Sequence, residues 1–138
     1  MYSCELPATA RSVTEARRFV VDALSNWRLE RLADTLALLT SEVVTNAVLH
    51  ARTPMELVVR RLRDGVAVEV TDGSRQRPRV RRTTAESTNG RGIALLEQLA
   101  STWDVTLHRA GKTVRFTVTG DSDPWAAFTA AGWTVDRG

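Results

Sequence analysis

The chain has 138 residues, 43% hydrophobic and 25% charged, with a formal net charge of +3. That is the size and balance of one globular domain with a real core. Its one cysteine, Cys4, excludes an internal disulfide. No apolar run approaches the roughly 20 residues a membrane span needs, and no signal-peptide pattern opens the chain, so a cytoplasmic protein is expected.

Ser12, with Glu15 three residues on, has the spacing of a capping box. It predicts a helix from Val13 to Trp27 with Ala16, Phe19, Val20, Ala23 and Leu24 on one side. Leu32, Leu36, Leu39, Val43 and Ala47 recur at helical spacing and predict a second helix from about Leu29 to His50, stopped by Pro54. Within its apolar pattern stand Glu42 and Asn46. Residues i and i+4 of a helix lie on one face, so the two form a pair. A hard divalent cation takes oxygen ligands such as the Asn46 amide, and a carboxylate beside it can accept a proton.

The period then changes to two. Met55 to Arg63 and Val66 to Thr71 read as strands around the hairpin signal Asp64-Gly65, with Val66, Val68 and Val70 on one face. Asp72 to Asn89 has loop chemistry and crowds together Arg75, Arg77, Arg79, Arg81 and Arg82, a basic loop able to meet phosphates or an acidic partner. Gly90-Arg91-Gly92 leads into a third helix from Ile93 to about Ser101. Trp103 to Arg109 and Thr113 to Thr119 form a second hairpin around Ala110-Gly111-Lys112. In it Val114, Phe116 and Val118 share a face, and Lys112 is the only lysine in the chain. Asp123-Pro124 starts a short helix in a tail over residues 121–138, which follows a domain over 1–120. Helices over one face of a mixed, mostly antiparallel sheet make a two-layer α+β sandwich.

Singly, each motif has a plain structural reading. Glu42 and Asn46 could be a solvated helix face, Asp72 a turn residue, Gly90-Arg91-Gly92 a loop-to-helix junction and Thr113 a strand residue. Their order along the chain resembles the ATP-binding domain shared by gyrase, heat-shock chaperones, histidine kinases and mismatch-repair ATPases. Asn46-Ala47-x-x-His50-Ala51, Gly90-Arg91-Gly92-Ile93-x-Leu95-Leu96 and Gly111-Lys112-Thr113-Val114-x-Phe116 resemble in particular the anti-sigma-factor serine/threonine kinases of actinobacterial type. The resemblance runs from about Leu6 to Val118 and implies the histidine kinase-like ATPase fold.

It also implies roles. Asn46 would ligate the Mg²⁺ that bridges the ATP phosphates, and Glu42 would be the general base. Asp72 would accept a hydrogen bond from the adenine amino group, with Thr113 supporting that contact. Gly90, Arg91 and Gly92 would lie along the phosphates, with Ile93 counted in the same nucleotide site. The implied function is an ATP- and Mg²⁺-binding anti-sigma factor that phosphorylates an anti-anti-sigma antagonist. Its partners would be the sigma factor and that antagonist, with a homodimer implied by the same resemblance.

One departure stands out: the superfamily's glycines at the second and fourth positions after the aspartate are Ser74 and Gln76 here. A nucleotide-binding switch that sequesters a partner without phosphorylating it is the alternative this favours. A basic nucleic-acid-binding module built on Arg75 to Arg82 is a weaker alternative. It leaves Glu42, Asn46, Asp72 and Gly90 to Gly92 without a shared purpose, and no aromatics interleave the arginines.

Overall fold

The computed structural model describes residues 1–75 and 88–120, with the backbone alone for 88–93. The expected tail helix and the loop arginines from Arg77 to Arg82 lie outside these residues. Chain order is β1 (Tyr2–Leu6), α1 (Arg11–Asn26), a 3₁₀ turn (Glu30–Leu32), α2 (Ala33–Asn46), a π turn (Ala47–Ala51), β2 (Met55–Leu62), β3 (Gly65–Asp72), α3 (Thr88–Leu99), β4 (Thr102–His108) and β5 (Gly111–Thr119). The strands form one five-stranded sheet in the order β1-β2-β3-β5-β4, and every described pairing is antiparallel. The helices cover one face, so the expected two-layer α+β class holds.

Alternation assigns the faces. Leu57 and Val59 of β2, Val66, Val68 and Val70 of β3, and Val114, Phe116 and Val118 of β5 are all buried in the core. Onto them pack Ala16, Val20 and Leu24 of α1, Leu36, Leu39, Val43 and Val44 of α2, and Leu95, Leu96 and Leu99 of α3. Each fully buried side chain of this size contributes about 1.5–3 kcal/mol. Helix α2 lies between α1 and α3 and crosses β3, while α3 reaches β4. The opposite face carries charged side chains beside buried Val58 and Ala67: Glu69 accepts from Arg60 at 3.1 Å and Arg115 at 3.4 Å, part-exposed pairs that add little to stability.

Several local expectations change. The first helix starts at Arg11, and Ser12 is not its cap. Ala10 holds the cap position, and Ser12 Oγ donates to the Pro7 carbonyl at 2.6 Å, tying the helix start to the preceding turn. The first hairpin turns through Arg63 and Asp64, with Leu62 opposite Gly65. Gly65 serves close approach rather than a left-handed turn: a Cβ there would sit 2.1 Å from the Val118 carbonyl oxygen. The third helix begins at Thr88, so Gly90, Arg91 and Gly92 lie within it rather than ahead of it. Glycine costs a helix about 1 kcal/mol per residue. Burial of Leu95, Leu96 and Leu99 offsets that penalty here.

Strand β1 has no counterpart in the sequence-based elements. Its pattern is mostly exposed, with only Leu6 buried, so alternation is hard to see. Cys4 is half-buried there, and burial pushes its thiol up, with the Glu15 charge adding to the effect. Taken with its 3₁₀ and π ends, the second helix runs from Glu30 to Ala51. By length and hydropathy this stretch could cross a membrane, contrary to the expectation that no run does. Its apolar stripe is instead buried between α1, α3 and the sheet.

Helix α1 ends in a Schellman-type turn, with the Leu29 N–H donating to the Leu24 carbonyl at 2.8 Å and Arg28 left-handed at φ 58°. A side chain there carries strain that glycine relieves. Arg28→Gly should therefore raise stability by about 0.5–1 kcal/mol, read as a higher urea midpoint at unchanged slope.

Candidate functional site

Glu42 and Asn46 sit one turn apart on the last part of α2, both half-buried, beside the buried stripe of Leu39, Val43 and Ala47. The helix does not stop at Asn46. It widens into the π turn Ala47–Ala51, closed by the Arg52 N–H donating to the Ala47 carbonyl at 3.1 Å, with Arg52 left-handed at φ 55°. Such turns cost regular hydrogen bonding and frequently occur at functional sites. Immediately beyond, Thr53 Oγ1 accepts the Gly73 N–H at 2.7 Å. That bond pins the end of the second helix to the residue after Asp72. The fold thus brings the Glu42/Asn46 end of α2 and the C-terminal end of β3 to the same end of the molecule.

Asp72 follows Val66, Val68 and Val70 on the helix-covered face and is 5% exposed. Its neighbours across the sheet form a row: Leu6 opposite Met55, Met55 opposite Asp72, Asp72 opposite Lys112, Lys112 opposite Leu107. Lys112 is as buried as the aspartate, at 5%. Its Nζ donates to Asp72 Oδ2 at 2.9 Å and to Oδ1 at 3.0 Å, and reaches the Ser74 carbonyl at 3.4 Å. Oδ1 also accepts the Ser74 N–H at 2.8 Å. The ammonium's three donors and both carboxylate oxygens are therefore engaged within the protein.

Gly111 makes this geometry possible. A Cβ on it would lie 1.9 Å from the Asp72 carbonyl oxygen, so only glycine lets the start of β5 come this close. Arg75, the one loop arginine among the described residues, donates to the His108 carbonyl at the same corner.

Thr113, expected to support Asp72, is on the other face. Its Oγ1 meets Thr71 Oγ1 at 2.7 Å and His108 Nε2 at 2.7 Å. The residue beside Asp72 is Lys112, which the motif reading passed over. The signal was available, because the alternation that buries Val114, Phe116 and Val118 puts residue 112 on their face and 113 on the opposite one. Gly90, Arg91, Gly92 and Ile93 occupy the first turns of α3, which packs against α2.

The donor set can be tested against the implied groups. No cluster of three His, Cys, Asp or Glu side chains able to hold a metal exists among the described residues. Mg²⁺ does not need one. It is commonly held by one or two protein oxygens together with substrate phosphates and water, and Asn46 with Glu42 alongside fits that pattern. A base amino group at Asp72 would have to share or take over carboxylate oxygens to which Lys112 already donates.

Removing one member of a buried ion pair leaves an uncompensated charge, at a cost of about 3–5 kcal/mol. Lys112→Met should destabilise by that amount in chemical unfolding. Asp72→Asn combined with Lys112→Met should recover most of the loss, because no charge is then left buried.

Three comparisons place the chain. Residues 6–118 match the family described as the histidine kinase-like ATPase domain. No curated protein matches. Among solved structures, the RsbU and RsbW domains of Rv1364c from Mycobacterium tuberculosis superpose with a TM-score of 0.63 at 16% identity, covering 89% of this chain and 34% of that one. This chain thus spans about a third of that protein's length. The histidine kinase domain of the blue-light activated histidine kinase of Erythrobacter litoralis EL346 gives 0.49 at 24% identity, over 64% of this chain and 48% of that one. The first likeness shows the same fold. The family match spans most of the chain, and the chain belongs to the histidine kinase-like ATPase domain family.

Proposed function

We propose that the protein is an ATP- and Mg²⁺-binding anti-sigma regulator that phosphorylates a serine or threonine of an antagonist protein. The observation that carries this reading is the Glu42/Asn46 pair, half-buried beside a π turn, at the end of the fold where β3 presents Asp72. Membership in an ATPase domain family supports a nucleotide, and the motif resemblance to anti-sigma-factor kinases supports the partners. In this reading Asn46 offers its amide oxygen to Mg²⁺. The metal neutralises phosphate charge, and Glu42 accepts the proton of the attacking hydroxyl. Gly90, Arg91, Gly92 and Ile93 belong to the phosphate side of the site in this reading, in the first turns of α3, whose N-terminal end favours anions. The sigma factor and its antagonist would compete for the domain, working inside the cell, and a homodimer belongs to the same proposal.

A second reading keeps the fold and drops phosphoryl transfer, leaving a partner-sequestering switch. One observation favours it: the Asp72 carboxylate is already bound by Lys112.

Incubation with radiolabelled ATP and a candidate antagonist separates the two. The kinase reading expects label on the antagonist. Nucleotide binding without label transfer would leave only the switch. Within the kinase reading, Glu42→Gln should keep nucleotide affinity and slow transfer by about 10²-fold or more. Asn46→Ala should remove the Mg²⁺ dependence of binding.

A further inference from the structure

The chain carries 19 basic residues, and only one of them, Lys112, is a lysine. That one amine is in the core, its side chain 7% exposed against an aspartate side chain at 2%. In a chain that otherwise uses arginine, this choice has a physical consequence. A guanidinium is planar, broad and always charged. An ammonium is a compact point charge on a flexible four-carbon stem. The Asp72 corner accommodates the second kind of cation, and such a cation can leave by rotating its own stem.

The backbone around it cannot move as readily. Gly111 packs so closely on the Asp72 carbonyl that a Cβ there would sit 1.9 Å away, and the two strands are in continuous register up to this pair. The Ser74 N–H closes a turn back onto Asp72 Oδ1 at 2.8 Å, and Thr53 Oγ1 holds the Gly73 N–H at 2.7 Å. Strand, turn and carboxylate are fixed, leaving the lysine stem as the soft element.

We propose that Lys112 is an internal cation occupying the place at Asp72 that the exocyclic amino group of a purine would take, so that the base subsite is shut until Lys112 leaves. The proposal rests on the reading of Asp72 as the base acceptor. The competition is unequal. The ammonium sets a full positive charge against both carboxylate oxygens, whereas an aromatic amine would bring a neutral donor to the same anion. The displaced ammonium must also find water or a ligand phosphate. Nucleotide affinity is therefore set by Lys112 as well as by the groups that touch the nucleotide, and Lys112 acts as a specificity-determining residue. A ligand bringing negative charge close enough to draw the ammonium away opens the subsite. A neutral nucleoside does not.

The single lysine makes this measurable on the intact protein. Brief acetylation with an amine-reactive ester labels only the N-terminal amine and Lys112, and peptide mass analysis separates them. Lys112 should react at least about tenfold more slowly in the folded protein than in urea, as a buried group reached only through local opening. The second arm titrates a fluorescent ATP analogue into wild type, Lys112→Thr and the charge-neutral pair Asp72→Asn/Lys112→Thr. The last guards against misfolding around an unpaired Asp72, and circular dichroism checks each protein. Lys112→Thr should bind at least about tenfold more tightly than wild type, a difference of 1.4 kcal/mol, and the double variant less tightly than Lys112→Thr, because it also loses the carboxylate that accepts the base. Equal, measurable binding by wild type and Lys112→Thr would overturn the latch while leaving the nucleotide reading intact. Rapid acetylation of Lys112 in the folded protein would also overturn it, by showing that the pair is open. A folded Lys112→Thr that binds no nucleotide would overturn both the latch and the nucleotide reading.

Discussion

Antiparallel pairing of β3 with β5, in the register that sets Asp72 opposite Lys112, determines which side chains meet the helices. Side chains alternate across a strand, so a register fixed at one pair is fixed at all of them. Val66, Val68 and Val70 face the helices because Val118, Phe116 and Val114 do, with each pair directly opposite. The same rule carries a carboxylate and an ammonium onto the helix side at the last position. A slip of one residue would turn the valines outward and put Thr71 and Thr113 where the ion pair is. The apolar core thus enforces the register that creates the polar site, and Gly65 and Gly111 allow the backbones at its two ends to close up.

That enforcement gives the buried pair a meaning beyond stability. Burying two charges costs several kcal/mol per ion, and a pair of apolar residues of similar size would often be as stable. An ion pair at this corner is therefore weak support for a purely structural role. What it provides is a charged contact that can be exchanged. Both Asp72 oxygens already carry hydrogen bonds, in a family whose description is an ATPase domain. The expected catalytic pair, Glu42 with Asn46, lies across the same end of the fold, joined to it through Thr53 and Gly73. In the proposed function, catalysis and base recognition would share this end of the fold, and the Asp72 side of it is held by Lys112.

Much of this was legible in the sequence, for reasons visible in particular residues. Long periodic runs such as Leu36-Leu39-Val43 or Val66-Val68-Val70 signal both element and buried face, because burial itself imposes the period. Weakly patterned elements were not legible. Strand β1 buries only Leu6, and its edge position leaves the rest in solvent. The first two turns of α3 contain two glycines, and packing of its later leucines overrides their propensity. Ser12 carried a capping signature but bonds to Pro7, since Ala10 already occupies the cap position. The exchange of Thr113 for Lys112 is of another kind. The motif drew attention to the threonine, while the alternation of Val114 and Phe116 already assigned the inner face to the lysine. Where a motif and a period disagree about direction, the period reflects the packing.

The state of the Lys112 ammonium is the most direct test of the central claim, and the chain's single lysine allows it to be observed without ambiguity. Protein labelled with ¹⁵N-lysine gives one side-chain ammonium resonance. If Lys112 is held between Asp72 and Ser74, its protons are protected from water and the resonance is visible and sharp at neutral pH. It should then be lost when Asp72→Asn removes the charge that holds it. An ammonium exchanging as fast as that of free lysine, with a signal unaffected by Asp72→Asn, would contradict the closed pair and the gating built on it.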